Sequence, residues 1–263
     1  MTHASVQQRA SRPFWLWLNL LSLDAPIVAL VWQDFASYCF NTPLRPVGRW
    51  TLGLTVWAIY VADRLIDVRQ PASASESVIH GFYREHCRLW HSLLTIVVLA
   101  DVCIALLLLR PAVLEHGLIV GAAVAIYLTG FAALRIGGSW TKRPFAAILF
   151  TTGVFLVAFT FAGDQWPPLV WPAIAFCTLC LGNLLLIENW ERHSKRRGWV
   201  WMLILCFACF YLGITRMNQY RWYGAILFSA VGLGLIDILK AKLSRDARRV
   251  LADMVLLTPL LFR

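Results

Sequence analysis

The sequence predicts an all-α polytopic membrane protein of about nine transmembrane helices, with its amino terminus in the cytoplasm. Three observations carry that expectation. The 263 residues are 59% hydrophobic and only 14% charged, against about 45–50% and 25% in soluble domains. The apolar residues fall in runs approaching the roughly 20 residues that a bilayer crossing takes. With the amino terminus inside, 18 Lys and Arg lie on the inner side of those runs and 6 on the outer, the bias of cytoplasmic loops. The net charge of +10 is therefore mostly topology, and nucleic acid is not needed to explain it.

Residues 1–13 form a polar amino-terminal segment, and 14–263 read as one transmembrane domain. Arg9 and Arg12 precede a long hydrophobic stretch without a small-residue cleavage site, so that stretch is expected to be retained. Phe14 to Leu18 carries Trp15 and Trp17 and suits the headgroup level. The first helix, over 24–40, opens on Asp24-Ala25-Pro26. Proline is tolerated in a first turn, and a carboxylate there suits the positive end of the dipole, so Asp24 also reads as a plain helix cap.

The second helix, over 50–66, runs into Tyr60-Val61-Ala62-Asp63-Arg64-Leu65-Ile66-Asp67. Four residues apart, Asp63 and Asp67 share a helix face. They serve either as solvated charges or as joint ligands of a divalent cation. Residues 68–90 are a polar loop, and His80, His86 and His91 match no compact metal spacing. A third helix, over 91–109, contains Asp101, an intramembrane carboxylate that is either functional or satisfied by a neighbour. Tyr127 lies toward the inner end of the fourth, over 113–133, and the following loop holds Gly137, Gly138, Lys142 and Arg143. That loop suits an anion or lipid headgroups.

Helices over 145–162 and 169–187 follow. The second of these runs into Glu188 and Glu191, an i, i+3 pair on one face, and then Arg192, Lys195, Arg196 and Arg197. Two acidic pairs thus end inward-going helices at the same membrane face. The last expected helices cover 198–216, 221–239 and a shorter 250–262, with Asp237 facing the interface beside Lys240. Cys177, Cys180, Cys206 and Cys209 lie inside apolar helices, where thiols pack as small hydrophobes.

Four landmarks, in order and on one side, resemble the UbiA superfamily of intramembrane prenyltransferases. Asp24-Ala25-Pro26-Ile27 resembles the family's Asp-Lys-Pro-Ile entry to helix one, with Ala25 in place of Lys. Asp63 to Asp67 is similar to the first Asp-rich motif, with Ile59 and Tyr60 where that motif has Asn and its first Asp. Tyr127 to Pro144 resembles the Tyr…Lys-Arg segment, although Phe131 replaces a Lys, and Glu188 to Glu191 occupies the place of the second Asp-rich motif.

The resemblance implies a UbiA-like bundle that moves a prenyl group from a prenyl diphosphate to an aromatic or other lipophilic acceptor, at the cytoplasmic face of a bacterial-type membrane. It implies magnesium held against the diphosphate by Asp63, Asp67, Glu188 and Glu191. Arg64, Lys142, Arg143 and Arg192 would neutralise the leaving group, with Tyr127 among the catalytic residues, and a cavity lined by Trp and Phe would shield an allyl cation. The alternative is a UbiA-like protein that has lost catalysis and binds a lipid, a quinone or a partner subunit. A transporter is a weaker third reading, since inverted repeats are not visible.

Overall fold

A computed structural model describes residues 16–68, 78–133, 139–163, 166–191 and 197–263. The polar segment over 1–13 and Phe14 and Trp15 of the aromatic run therefore lie outside the described residues, as do Gly137, Gly138 and Arg192. Among the described residues every regular element is helical.

The elements are α1 (Trp17–Leu20), α2 (Asp24–Cys39), α3 (Pro46–Val68), α4 (Val78–Glu85), α5 (Cys87–Leu108) and α6 (Pro111–Ile126). A wide π-type turn over Tyr127–Ala133 follows, then α7 (Ser139–Ala162), α8 (Pro167–Glu191), α9 (Trp199–Thr215), α10 (Tyr220–Ile238) and α11 (Arg245–Val255). Among the described residues five segments are long and apolar enough to cross a membrane: Cys87–Leu108, Pro111–Gly130, Thr141–Ala162, Pro167–Glu191 and Met217–Ile238. The chain is thus an all-α protein with the helices of a membrane protein. Its large exposed side chains on α5 and α9, such as Leu99, Leu107, Phe207 and Tyr211, form the apolar exterior that lipid accepts.

Three elements differ from the expectation. Residues 250–262 are not one apolar helix: α11 is short and strongly amphipathic, and a 3₁₀ turn over Thr258–Leu261 follows it. The helix expected over 113–133 ends early, because its last turn widens into the π-type geometry at Tyr127. The polar loop over 68–90 contains α4, whose Ile79 and Tyr83 bury against Val61, Leu65 and Trp90. Apolar side chains one turn apart gave that short helix a face to bury, which overrode the polar composition around it.

The main core lies between α2, α7, α8 and α10. Trp32, Phe35, Phe155, Phe176 and Trp222 are almost fully buried there. Trp32 meets Phe176 at 4.6 Å between ring centroids, and Phe35 stacks on Trp222 at 5.5 Å. Both indole N–H groups find backbone acceptors, Leu256 O for Trp32 and Pro172 O for Trp222, as buried tryptophans require. Pro172 has no N–H to offer the carbonyl of residue 168. Gln219 donates its amide to Pro168 O at 3.2 Å, which ties the turn before α10 to α8.

Ser22 takes a left-handed φ of 56° between α1 and α2, a conformation that costs an L-residue steric energy. Its hydroxyl is fixed at 2.7 Å from the Tyr83 hydroxyl. Asp237, expected at the interface, is 2% exposed. Trp190 Nε1, Trp199 N and Lys240 Nζ all donate to it, at 2.9, 3.0 and 3.2 Å, so it joins the ends of α8, α9 and α10. A buried carboxylate persists only with such partners, and two of them, Trp190 and Trp199, come from helices distant in sequence.

Candidate functional site

The ends of α3, α7 and α8 bring one member of each acidic pair to one basic dipeptide. Lys142 Nζ is 2.9 Å from Asp63 Oδ1, and Arg143 Nη1 is 2.5 Å from Glu188 Oε2. The adjacent cations of α7 thus reach acids on two different helices. Glu191 is paired with Arg249 of α11. Tyr127, at the start of the π-type turn, is buried and close enough to Asp63, Asp67 and Arg143 for their charges to act on it. Of the site residues expected from the sequence, Asp63, Tyr127, Lys142, Arg143 and Glu188 therefore gather at one place. Asp67 is at the same helix end and is partnered, and Arg192 is outside the described residues.

Arg64 points elsewhere. Its guanidinium donates to Asn19 O at 2.6 Å, lies 4.0 Å from Asp24 Oδ2 and sits over the Tyr83 ring. Placed one residue from Asp63, it leaves the helix on a different face, as the 100° step between neighbours dictates.

Above these charges is a cavity of about 270 Å³. Its wall is mostly aliphatic, with Val56, Val120, Val124, Leu149 and Leu184, and its polar groups include Asp63, Tyr60, Tyr127, Asn183 and Asp253. Among the described residues Phe150 is the phenylalanine of that lining, and no tryptophan contributes. The expectation of a Trp-lined cavity fails because Trp32 and Trp222 are committed to the core, while Trp50, Trp171 and Trp201 face outward.

A second polar cluster, which sequence spacing does not reveal, lies where α1, α2 and α11 meet. Asn19 Nδ2 donates to Asp24 Oδ2 at 2.9 Å and to Asp253 Oδ2 at 3.2 Å. The two carboxyls thus share one amide donor. Asp253 belongs to α11, outside the five apolar spans, and burial, then the Asp24 charge, push its carboxyl well above the usual range. Asp24 and Asp253 stand at opposite ends of the chain, so only tertiary packing unites them.

The other candidates are structural. Asp101 accepts a hydrogen bond from Thr55 at 2.6 Å. All seven cysteines are free, with Cys180, Cys206 and Cys209 buried as expected of packing thiols.

As arranged, the acids do not make a magnesium site. Magnesium wants near-octahedral oxygen coordination, yet among the described residues no three of His, Cys, Asp or Glu converge. Asp63, Glu188 and Glu191 are each given to a cation instead. What the arrangement offers chemically is a mostly aliphatic chamber that reaches Asp63, with the Lys142 ammonium held against that carboxylate. Comparison with family models, curated proteins and solved structures finds no match for the chain.

Proposed function

We propose that the chain is a UbiA-like intramembrane prenyltransferase whose cavity takes the prenyl chain and whose Lys142 and Arg143 take the diphosphate. The observation that carries this reading is the aliphatic cavity bounded at one end by Asp63, itself paired with Lys142. A diphosphate arriving there competes for cations that now neutralise Asp63 and Glu188. Two such cations on one turn offer charge-assisted hydrogen bonds, the strong kind.

In the reaction, the bond from prenyl C1 to the diphosphate oxygen breaks and its electron pair leaves on the diphosphate. Lys142 and Arg143 hold that charge in place. The aliphatic wall keeps water from the allylic centre while a lipophilic acceptor bonds to C1 and gives up its proton, which leaves with the diphosphate. The same reading puts the amino terminus, and with it this polar end, on the cytoplasmic side of a bacterial-type membrane, within a bundle of about nine crossings. The 18 to 6 distribution of cations supports it.

The test is binding of a non-hydrolysable farnesyl thiodiphosphate to protein in nanodiscs, with and without magnesium, beside Lys142→Ala and Asp63→Asn. Saturable binding that Lys142→Ala abolishes, together with turnover of farnesyl diphosphate on some acceptor, is the expected result. A second reading, a UbiA-like holder of a lipid or quinone without catalysis, is favoured by the commitment of the acids to ion pairs. Retention of a neutral isoprenoid lipid with no thiodiphosphate binding in either condition would replace the first reading with the second.

A further inference from the structure

Two basic stretches, far apart in sequence, converge around the enclosed carboxylate of Asp237. Trp199 N at the start of α9 and Lys240 Nζ just past α10 both donate to it, as does Trp190 Nε1 of α8. Arg197, just before Trp199, and Lys242, just after Lys240, are therefore brought to one corner of the bundle, and both are exposed. From Lys240 to Arg249 the chain holds Lys240, Lys242, Arg245, Arg248 and Arg249 against the single acid Asp246. α11 folds this stretch back over the corner. The Arg248 guanidinium lies 5.9 Å from the Trp190 ring centroid, and the Arg245 charge acts on Arg248.

The neighbouring acids are already committed. Asp237 is enclosed by its three donors, and Glu191 is paired with Arg249. Cations gathered so closely repel one another, and an anion relieves them. What borders the corner decides which anion. The apolar span Met217–Ile238 ends just before Lys240. Around that end Leu235, Ile238 and Leu239 are exposed, and at the start of α9 so are Val200, Trp201 and Ile204. Exposed apolar side chains and a tryptophan beside clustered Lys and Arg suit the headgroup level of a bilayer. A nucleic acid or an acidic peptide would meet the cations and leave the apolar rim in water. A phospholipid covers both.

We infer that the corner carrying Arg197, Lys242, Arg245 and Arg248 is a docking surface for anionic phospholipid headgroups, with the acyl chains laid along α9 and α10. The phosphate accepts charge-assisted hydrogen bonds from these side chains. None of the four lines the cavity, so the surface stands apart from the proposed prenyl transfer. It still bears on the cavity, because α11 also supplies Asp253 and Leu256 to the cavity wall, and a headgroup held at the start of α11 steadies that wall.

The experiment compares spin-labelled phosphatidylglycerol with spin-labelled phosphatidylcholine, by electron paramagnetic resonance, on protein reconstituted in phosphatidylcholine liposomes. The motionally restricted fraction of each label reports its association. Wild type is expected to favour phosphatidylglycerol about threefold or more. Arg197→Gln/Lys242→Gln should bring the ratio toward parity, whereas Arg197→Lys/Lys242→Arg should keep it. Arg84→Gln/Arg88→Gln removes the same charge from exposed residues elsewhere and should also leave the preference in place. An unchanged unfolding temperature in detergent reports that each variant folds.

Equal association of the two lipids with the wild-type protein overturns the surface. So does a preference that both glutamine variants reduce alike, since that would make it a property of net charge. Displacement of the phosphatidylglycerol label by millimolar inorganic phosphate would assign the corner to a free anion. Binding of soluble polyglutamate that Arg197→Gln/Lys242→Gln abolishes, without any lipid preference, would assign it to an acidic protein.

Discussion

Lys142 is the side chain on which the proposed binding of an anion depends most directly. Its ammonium is only partly exposed and already within 2.9 Å of a carboxylate, so it is held where a phosphate oxygen would compete for it. Hydrogen bonds to charged groups contribute about 1.5–3 kcal/mol, and about 1.4 kcal/mol is tenfold in affinity. Lys142→Ala is expected to weaken farnesyl thiodiphosphate at least tenfold in a titration, while Lys142→Arg retains most of it. Asp237 is a different kind of residue. Asp237→Ala strips the acceptor from Trp190 Nε1 and Trp199 N inside the bundle, a loss of about 3 kcal/mol that should appear as a lower unfolding temperature in detergent. At Asp253 the sign reverses. A carboxyl whose folded pKa is raised holds its proton longer in the folded than in the unfolded state, so stability falls as pH rises above the ordinary carboxylate range. Asp253→Asn should therefore unfold at a higher temperature than wild type at pH 7.5, with the difference shrinking toward pH 4.

Among the elements, α11 matters beyond its length. It delivers Arg249 to Glu191 and Asp253 to Asn19, and its end packs on α10. Gly232 of α10 makes that docking possible. A Cβ there would fall 2.5 Å from Val255 Cγ1 and 3.4 Å from its Cβ. Valine is stiff at χ1, so α11 itself must move. Gly232→Ala is expected to lower the unfolding temperature in detergent and to leave thiodiphosphate binding closer to wild type, because Lys142 and Arg143 belong to α7. Gly182 is a useful contrast. A Cβ at that position would meet the terminal methyl of Met202, the end of a flexible chain that can turn aside, and Gly182→Ala should leave both the unfolding temperature and thiodiphosphate binding near wild type.

For the whole molecule, the arrangement of charge makes a topological prediction. The basic inner end, with Lys142, Arg143, Lys240, Lys242 and Arg249, should be cytoplasmic, and Arg216 to Arg221 should face out. A cysteine introduced at Asn218, in a variant lacking its seven native cysteines, is expected to react with an impermeant maleimide in intact cells. One introduced at Lys242 should react only after the membrane is opened. The reverse pattern would invert the orientation.

Composition and periodicity were enough for the class of the molecule, since long apolar runs with cations gathered between them have few stable arrangements in water. The acidic pairs were legible for a related reason: i, i+3 and i, i+4 spacing puts side chains on one helix face whatever surrounds the helix. Local spacing says nothing about which cation each acid meets. That Lys142 and Arg143 divide between α3 and α8, that Arg64 turns to Asp24, and that Asp237 is enclosed were decided by how the helices pack. The pairing of Asp24 with Asp253 is the extreme case, because α2 and α11 are brought together only when the core around Trp32 and Trp222 closes. Burial and low dielectric then turn two ordinary acids into a shared polar station.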